Sequence, residues 1–179
     1  MELTTERLHL RPFRPGDEAA IHAVYADPEV MLFVGHGAHR TMAETAGALR
    51  TYRDVLERHG YSFLAVTERS SGALIGDGGL HPLAGVGPDV ELGYTLARRV
   101  WGRGYATELG RALVEYAFTV LRVPRVVAQV EPANAASRHV LAKLGMSERE
   151  TRTAYGRPHL LYCVEARPPA PPRGSPPPR

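Results

Sequence analysis

The clearest periodic pattern in the chain lies just past its middle. After Tyr105, apolar side chains recur every three or four residues, which is the spacing of one face of an α-helix. The apolar positions are Ala106, Leu109, Leu113, Tyr116, Ala117, Val120 and Leu121. The pattern predicts a long amphipathic helix that begins at Tyr105 and buries this face.

Shorter patterns predict strands and further helices on both sides. Leu8 and Leu10 alternate with polar neighbours, which is typical of a half-buried strand. Strands are predicted over Thr5–Phe13, Tyr61–Thr67, Ala73–Leu80, Asp89–Leu96 and Arg125–Glu131 and near Ser147 and Leu160, and helices after an N-cap at Asp17, after a capping box of Thr41 and Glu44, and over Asn134–Lys143. Strands with helices between them, and hairpins at both ends, predict an α/β (α+β) fold around one sheet of mixed strand direction.

Composition predicts one folded domain over residues 1–166 followed by a tail. The hydrophobic fraction of 44% and the charged fraction of 23% are ordinary for a soluble domain. Residues 167–179 include seven prolines, and we expect this segment to be disordered. No apolar run approaches the ~20 residues of a membrane helix, and the first residues do not resemble a signal peptide. With Cys163 as the single cysteine, we expect a cytoplasmic protein without an internal disulfide and without a membrane partner.

The net charge of +3 comes from the tail. Arg167, Arg173 and Arg179 lie there without an acidic residue, and without them the 22 basic residues fall to 19 and equal the 19 acidic ones. A nucleic-acid-binding domain is expected to carry a basic excess, so the neutral body predicts no nucleic-acid partner.

Glycine and arginine residues are concentrated just before the long helix. Gly102 and Gly104 leave the backbone amides at the helix start unshielded, and such amides bind phosphate groups. Arg98, Arg99 and Arg103 add positive charge. The segment indicates a phosphate or pyrophosphate site, although the glycines could equally serve only a tight turn.

Two common phosphate-binding motifs do not fit this segment. A dinucleotide fingerprint would need a third glycine where the chain has Thr107, and a Walker loop would need a lysine, whereas Lys143 is the only lysine. A nucleotide-binding module of either kind is therefore disfavoured.

Four sequence blocks resemble the GCN5-related N-acetyltransferases (GNAT). The core block, Arg99-x-x-Gly102-x-Gly104, is similar to the Gln/Arg-x-x-Gly-x-Gly/Ala motif of that superfamily. The wider blocks resemble its RimJ/RimL branch: Thr5–Pro12, Glu91–Tyr94 with Trp101–Glu108, and Asn134–Arg138 with Leu141–Met146. The resemblance spans about Thr5 to Ala166.

The resemblance implies a central twisted, mixed, mostly antiparallel sheet of about seven strands with about four helices, in which strands 4 and 5 splay apart. Acetyl-CoA would be the co-substrate, with its pantetheine arm in the gap and its pyrophosphate on the amides before the long helix. The implied cofactor contacts are Thr95, Leu96, Ala97, Arg99, Gly102, Arg103, Gly104, Tyr105, Ala106, Thr107, Asn134 and Ser137.

Three residues are candidates for catalysis within this resemblance. Glu91 would be the general base, and Ser137 and Tyr155 would assist the departing thiolate. Each also has a purely structural interpretation: an ion-paired carboxylate, a hydroxyl bonded to the first helical turn, and a turn tyrosine that shields the core. Asn134 is likewise a good helix N-cap as well as a candidate pantetheine contact.

Other conspicuous residues have structural interpretations. We expect Trp101 to wedge the loop against the core, Glu108 to form a helix-surface pair with Arg111, and Cys163 to be a buried thiol. The eight histidines do not form a zinc motif, so no metal is predicted.

The leading hypothesis is an enzyme that transfers an acetyl group from acetyl-CoA to a primary amine by direct attack. The acceptor could be a protein N-terminus or a small molecule, and the neutral body favours neither. A homodimer is also compatible with the resemblance. The alternative is a non-catalytic acyl-CoA-binding module, which would keep the loop but would not need Glu91, Ser137 and Tyr155.

Overall fold

Eight strands form a single sheet in the computed structural model, which describes residues 1–39, 41–83 and 89–166. The strands are β1 (Leu3–Thr4), β2 (Leu8–Arg11), β3 (Phe63–Glu68), β4 (Leu74–Pro82), β5 (Val90–Leu96), β6 (Arg125–Val130), β7 (Ser147–Ala154) and β8 (Arg157–Glu165). The helices are α1 (Glu18–Tyr25), α2 (Met42–His59), α3 (Tyr105–Thr119) and α4 (Ala135–Lys143). The predicted tail, 167–179, lies outside the described residues.

The sheet order is β1-β2-β3-β4-β5-β6-β8-β7, and every described pair is antiparallel except β5 with β6. These two strands are paired only at Val90 with Val126 and at Glu91 with Val127. Since β5 continues to Leu96 and β6 to Val130, a gap opens beyond Glu91. The mixed sheet with a splayed parallel pair confirms the predicted fold, with the gap between the fifth and sixth strands of this chain.

The strand count is eight because the short strand β1 precedes the first predicted strand, of which Leu8–Arg11 is present as β2 and the beginning, from Thr5, is a turn. Thr5 Oγ1 accepts a hydrogen bond from Leu8 N at 3.0 Å, and Thr5 N donates to Leu8 O at 2.9 Å. Glu108, on α3, holds the same turn by accepting from Thr5 Oγ1 at 2.6 Å and from Arg7 N at 2.8 Å. The partner lies about a hundred residues along the chain, so local alternation could not predict this turn.

The helices cover the two faces of the sheet. Successive strand residues point to opposite faces, and on β4 Asp77 lies next to Tyr25 of α1 whereas a Cβ at Gly78 would lie 2.6 Å from Leu109 of α3. On the first face Tyr52 of α2 packs edge-on against Phe63 of β3, with ring centroids 5.3 Å apart. Helices α1 and α2 therefore lie on one face, and α3 on the other.

The predicted helices are present, but one predicted cap is not. Thr41 and Glu44 form the expected capping box at α2, and α3 begins at Tyr105. Asp17 precedes α1 without capping it. Its carboxylate instead accepts hydrogen bonds from both Nη atoms of Arg11, at 2.7 and 2.9 Å. A bidentate ion pair is a stronger use of a carboxylate than a cap.

Candidate active site

One cavity of about 750 Å³ reaches both faces of the sheet through the gap between β5 and β6. On the α1–α2 face its lining includes Asp77 and Tyr52, and on the α4 side it includes Asn134 and Ser137. Glu91 lies in the lining where the two strands are still paired. A ligand entering from either face can therefore approach the same carboxylate.

The loop before α3 has the backbone expected of a phosphate site. Gly102 and Gly104 have φ angles of 74° and 79°, a region that favours glycine. No side chain caps α3 among the described residues, and the first backbone bond of this turn is from Glu108 N to Gly104 O at 3.0 Å. The amides of Ala106 and Thr107 at the start of α3 are thus available to an anion.

Arg7 braces this loop from the first hairpin. Its Nε lies 2.6 Å from Glu108 Oε2, its Nη1 donates to Arg103 O at 2.9 Å, and its guanidinium lies 4.6 Å from the ring centroid of Tyr105. The prediction that Glu108 pairs with Arg111 is wrong, because the carboxylate is engaged by Arg7 and by Thr5. These hydrogen bonds outweigh desolvation and hold the pKa of Glu108 below its usual range.

The other predicted cations of the loop have separate partners. Arg98 pairs with Glu29 at 2.7 Å and with Asp27 at 3.5 Å, so these carboxylates offset the charge that it was predicted to add. Arg99 donates through Nη2 to Leu74 O at 3.0 Å, and Arg103 is exposed, with Nη1 3.7 Å from Glu68 Oε1. Arg103 and Arg99 keep exposed side chains beside the loop.

Trp101 was predicted to wedge the loop against the core, but about half of it is exposed. Its side chain is 49% exposed, and its Nε1 donates to Leu96 O at 2.7 Å. The indole therefore ties the loop to the end of β5. At the helix start, Tyr105 is buried and donates through Oη to Glu68 Oε1 at 2.6 Å.

The backbone of β5 presents alternate residues to the gap. Ala97 N donates to Ile75 O at 2.8 Å, and Ala97 O accepts from Val100 N at 3.0 Å, so both groups of Ala97 are engaged. Thr95 is two residues before Ala97 and pairs with Asp77. Because backbone groups alternate in direction along a strand, the N–H and C=O of Thr95 also point towards β4. Of the predicted residues Thr95, Leu96 and Ala97, the backbone of Leu96 alone faces the gap, and Tyr94 joins it.

Glu91 is a partly buried carboxylate at the closed end of the gap. Gln129 of β6 donates through Nε2 to Glu91 Oε1 at 3.1 Å. Burial raises the pKa of Glu91, while the bond from Gln129 and the nearby His81 and His159 oppose the rise. A carboxylate with a raised pKa suits proton abstraction near neutral pH.

Asn134 and Ser137 lie together at the start of α4. Asn134 Oδ1 accepts from Ser137 N at 3.0 Å, which is the capping role. The cap uses only the amide oxygen, and the Asn134 Nδ2 donors can serve a second partner. The hydroxyl of Ser137 lies near Tyr94, whose buried Oη has no well-formed hydrogen bond among the described residues.

Tyr155 lies at the mouth of the cavity, in the two-residue turn of the β7–β8 hairpin. It has a φ of 51° and Gly156 a φ of 73°, and the ring of His36 packs edge-on against it with centroids 5.4 Å apart. Burial of part of the ring, then the charge of Glu91, raises the pKa of Tyr155. The structure thus places Glu91, Ser137 and Tyr155 around one cavity, while their chemical roles stay predictions.

Several polar residues of this cavity were not among the sequence candidates, including Tyr94, Asp77, His81 and Gln129. Tyr94 could have been found, because it adjoins the candidate Thr95 on the predicted strand Asp89–Leu96, whereas the predicted strand Arg125–Glu131, which holds Gln129, contained no candidate. Asp77 gave no signal beyond an acidic residue in an otherwise apolar strand. Burial raises its pKa to about 7, against the opposing effects of the neighbouring Tyr25 and Thr95 hydroxyls.

Three further features concern predictions outside the cavity. Cys163 is a buried free thiol, as predicted. Within 1–39, 41–83 and 89–166, no group of three or more His, Cys, Asp or Glu side chains could hold a metal ion. In the same described residues, no helix has the length and apolar character needed to span a membrane.

Comparison with known proteins identifies the family. Residues 7–147 match the family description of the acetyltransferase (GNAT) domain. The chain is 29% identical over 163 residues to the protein YkkB of Bacillus subtilis strain 168, covering 90% of this chain and 94% of YkkB.

Solved structures agree. An acetyltransferase of Agrobacterium tumefaciens superposes with a TM-score of 0.79 at 30% identity, covering 93% of this chain and 95% of that one. RimJ of Mycobacterium smegmatis, solved with CoA-disulfide, has the same fold, with a TM-score of 0.77 at 22% identity over 92% of this chain and 87% of RimJ. The family match, the splayed sheet and the open amides before α3 agree, and the chain belongs to the GNAT family of acetyltransferases.

Proposed function

We propose that this protein transfers an acetyl group from acetyl-CoA to a primary amine, with Glu91 as the general base. The observation that carries the proposal is the position of Glu91, at the closed end of the gap and in a cavity open to both faces of the sheet. A cofactor in the gap and an amine from the α1–α2 face would meet beside this carboxylate.

The cofactor would lie along the gap-facing edge of β5. Its pantetheine arm would pair with backbone groups of Tyr94 and with Leu96 N, since Leu96 O already accepts from Trp101 Nε1. Asn134 Nδ2 would bind an arm carbonyl from the opposite side. The pyrophosphate would rest on the amides from Gly102 to Thr107, where the helix dipole favours an anion. The exposed guanidinium of Arg103 would add charge.

The chemical step needs no enzyme nucleophile. Glu91 accepts a proton from the bound ammonium, directly or through a water molecule, and the amine nitrogen attacks the thioester carbonyl carbon. A C–N bond forms, and the carbonyl electron pair moves to oxygen, where a gap-facing amide of β5 would stabilise it. When the carbonyl reforms, the C–S bond breaks and the thiolate leaves with the electron pair of that bond. The nitrogen, which gained a positive charge in the attack, releases its extra proton to water and becomes the neutral amide.

Protonation of the thiolate completes the balance. Ser137 and Tyr94 are the hydroxyls on the cofactor side of the gap, and the unpartnered Tyr94 Oη supports its inclusion beside the predicted Ser137. Tyr155 stands on the acceptor side, which favours a contact with the amine or its substituents over proton donation to sulfur. Because the CoA thiol has a pKa near that of cysteine, ~8.5, this step needs little assistance.

The cavity supports a small-molecule amine over a protein N-terminus. On the α1–α2 face the opening is narrowed by the rings of Tyr52 and Phe63 and by His36, which lies at the mouth on the loop after α1. Cytoplasmic location and a homodimer remain part of the proposal.

The test is a thiol-release assay with acetyl-CoA over a panel of small primary amines and of peptides with free N-termini. The proposal predicts transfer to at least one small amine, with one equivalent of free CoA thiol per acetylated amine by mass spectrometry. Thiol release without an acetylated amine would indicate hydrolysis instead. A thermal shift with acetyl-CoA is measured in parallel to establish the cofactor site.

A further inference from the structure

Two buried polar side chains lie in the cavity away from Glu91. Asp77 and Tyr25 are each 2% exposed, and both belong to the cavity lining. The hydroxyls of Tyr25 and Thr95 lie near the Asp77 carboxylate, but neither Asp77 Oδ1 nor Tyr25 Oη has a well-formed hydrogen bond among the described residues. Because an unpartnered buried oxygen is destabilising, the pair points to a bound group that donates hydrogen bonds there.

The surroundings of this pair are aromatic. His39 packs edge-on against Tyr25, with centroids 4.9 Å apart, and Tyr52 packs edge-on against Phe63 at 5.3 Å. Phe63 lies over Gly93, where a Cβ would be 2.9 Å from the ring, and so forms the floor of the cavity between Asp77 and Glu91. Aromatic faces beside a buried carboxylate favour an organic cation over an anion or a sugar.

The strand register gives the separation between the two carboxylates. Asp77 pairs with Thr95, which is four residues along β5 from Glu91. The same alternation places Asp77 and Glu91 on one face of the sheet. At about 3.3 Å per residue, their Cα positions are roughly 13 Å apart along the strands, which is the scale of an extended diamine held between two flexible carboxylate side chains.

We propose that Asp77 binds a second ammonium group of the acceptor, so that the preferred acceptors are diamines or longer polyamines. This inference rests on the proposed function, because it takes the nitrogen near Glu91 as the one acetylated. Tyr25 Oη would accept a further hydrogen bond from the same ammonium. Burial raises the pKa of Asp77 to about 7, so the carboxylate gains its charge only near neutral pH or when a cation pairs with it.

The test measures binding to the CoA-saturated protein, in which no acetyl group is present and nothing turns over. Calorimetry at pH 8 compares 1,8-diaminooctane with n-octylamine, which has the same chain and lacks the second nitrogen. We expect the diamine to bind on the order of 10–100-fold more tightly, as for a buried charge pair. Asp77→Asn should reduce this ratio to about threefold or less.

Acetyl-CoA affinity of the Asn variant checks that it is folded. If that variant does not fold, the wild-type protein still provides the answer through pH. The titratable groups facing Asp77 are the phenols of Tyr25 and Tyr52, whose pKa burial raises, so both stay neutral. The diamine preference should therefore grow as the pH rises from 5.5 to 8.5, because Asp77 ionises in that range while the ammonium stays charged.

The outcomes separate this inference from the proposed function. A diamine ratio near one in the wild type, or a ratio unchanged by Asp77→Asn, would show that Asp77 is structural or holds only water. Equal acetylation of mono- and diamines would leave the transferase intact and overturn the inference. An Asp77-dependent diamine preference without acetyl transfer would support the inference and contradict the proposed function.

Discussion

Gln129 Nε2 donates a hydrogen bond to Glu91 Oε1 at 3.1 Å across the opening between β5 and β6. Glu91 is the last paired residue of β5, and Gln129 lies two residues past Val127, the last paired residue of β6, so the bond orients the carboxylate at the apex of the gap. The bond stabilises the ionised form and keeps the pKa of Glu91 from rising further under the effect of burial. If Glu91 is the base, the pH dependence of kcat/KM should therefore respond to the loss of this hydrogen bond.

Gln129→Leu should move the acidic limb of the kcat/KM profile to higher pH. The substitution removes the donor that favours the carboxylate, so the pKa of Glu91 rises and more alkaline conditions are needed for the active form. Profiles of wild type and variant between pH 5 and 9, with a saturating acetyl-CoA concentration, measure the shift. A limb that stays in place would mean that another group governs it.

Gly104→Asp should abolish acetyl-CoA binding, whereas Gly104→Asn should weaken it far less. Both side chains tolerate a positive φ better than most, and they have the same shape, so the pair isolates the negative charge from backbone strain at φ 79°. Titration calorimetry gives both dissociation constants, and the melting temperatures check folding. Equal affinities in the two variants would place the pyrophosphate elsewhere.

Arg7→Gln should lower acetyl-CoA affinity by about tenfold. Arg7 bonds to Arg103 O, pairs with Glu108 and packs on Tyr105, so its loss frees the loop that holds the pyrophosphate and removes a charge-assisted pair. Arg69→Gln is the matched control, since Arg69 bonds to the carbonyls of Thr5 and Glu6 in the same hairpin. If both variants bind acetyl-CoA equally well, Arg7 affects the cofactor only by stabilising the hairpin and not by holding the loop.

Asp77→Asn should make the protein more stable at pH 8 than the wild type, with little difference at pH 4. The pKa of Asp77 is raised from an ordinary value of 3.8 to about 7, so the folded state holds more protons than the unfolded state between these values. The free energy of unfolding of the wild type is therefore undiminished by Asp77 below about pH 4. It falls as the pH rises towards 7, by at most on the order of 4 kcal/mol.

Urea unfolding of both proteins at pH 4, 5, 6, 7 and 8 provides the comparison for Asp77. The other titratable groups are common to the two proteins, so the difference between the curves reports Asp77 alone. Parallel curves would show that its pKa is ordinary in the folded protein.

Most elements of the fold could be predicted because their signals are local. The apolar face of α3 and the capping box of Thr41 and Glu44 each lie within one or a few helical turns. The signal of the loop glycines was also local, because the positive φ angles of Gly102 and Gly104 favour glycine whatever surrounds them.

The errors share a different cause, which is competition from a partner outside the local sequence pattern. Glu108 forms an ion pair with Arg7, about a hundred residues away, instead of with Arg111. Asp17 forms an ion pair with Arg11 instead of capping its helix. Asp77 could not be singled out, because its significance comes from burial beside Tyr25, which only the folded sheet reveals.

The most direct measurement of the central claim is the turnover of Glu91→Gln with an accepted amine, alongside its dissociation constant for acetyl-CoA. The substitution keeps the size of the side chain and removes the base, and general-base assistance contributes about 10²–10⁴-fold. Ser137→Ala and Tyr155→Phe are measured beside it to rank the predicted acids. If Glu91 is the general base, we expect kcat of Glu91→Gln to fall at least about 100-fold while its acetyl-CoA affinity stays within about threefold of wild type. A variant that turns over at the wild-type rate would contradict it.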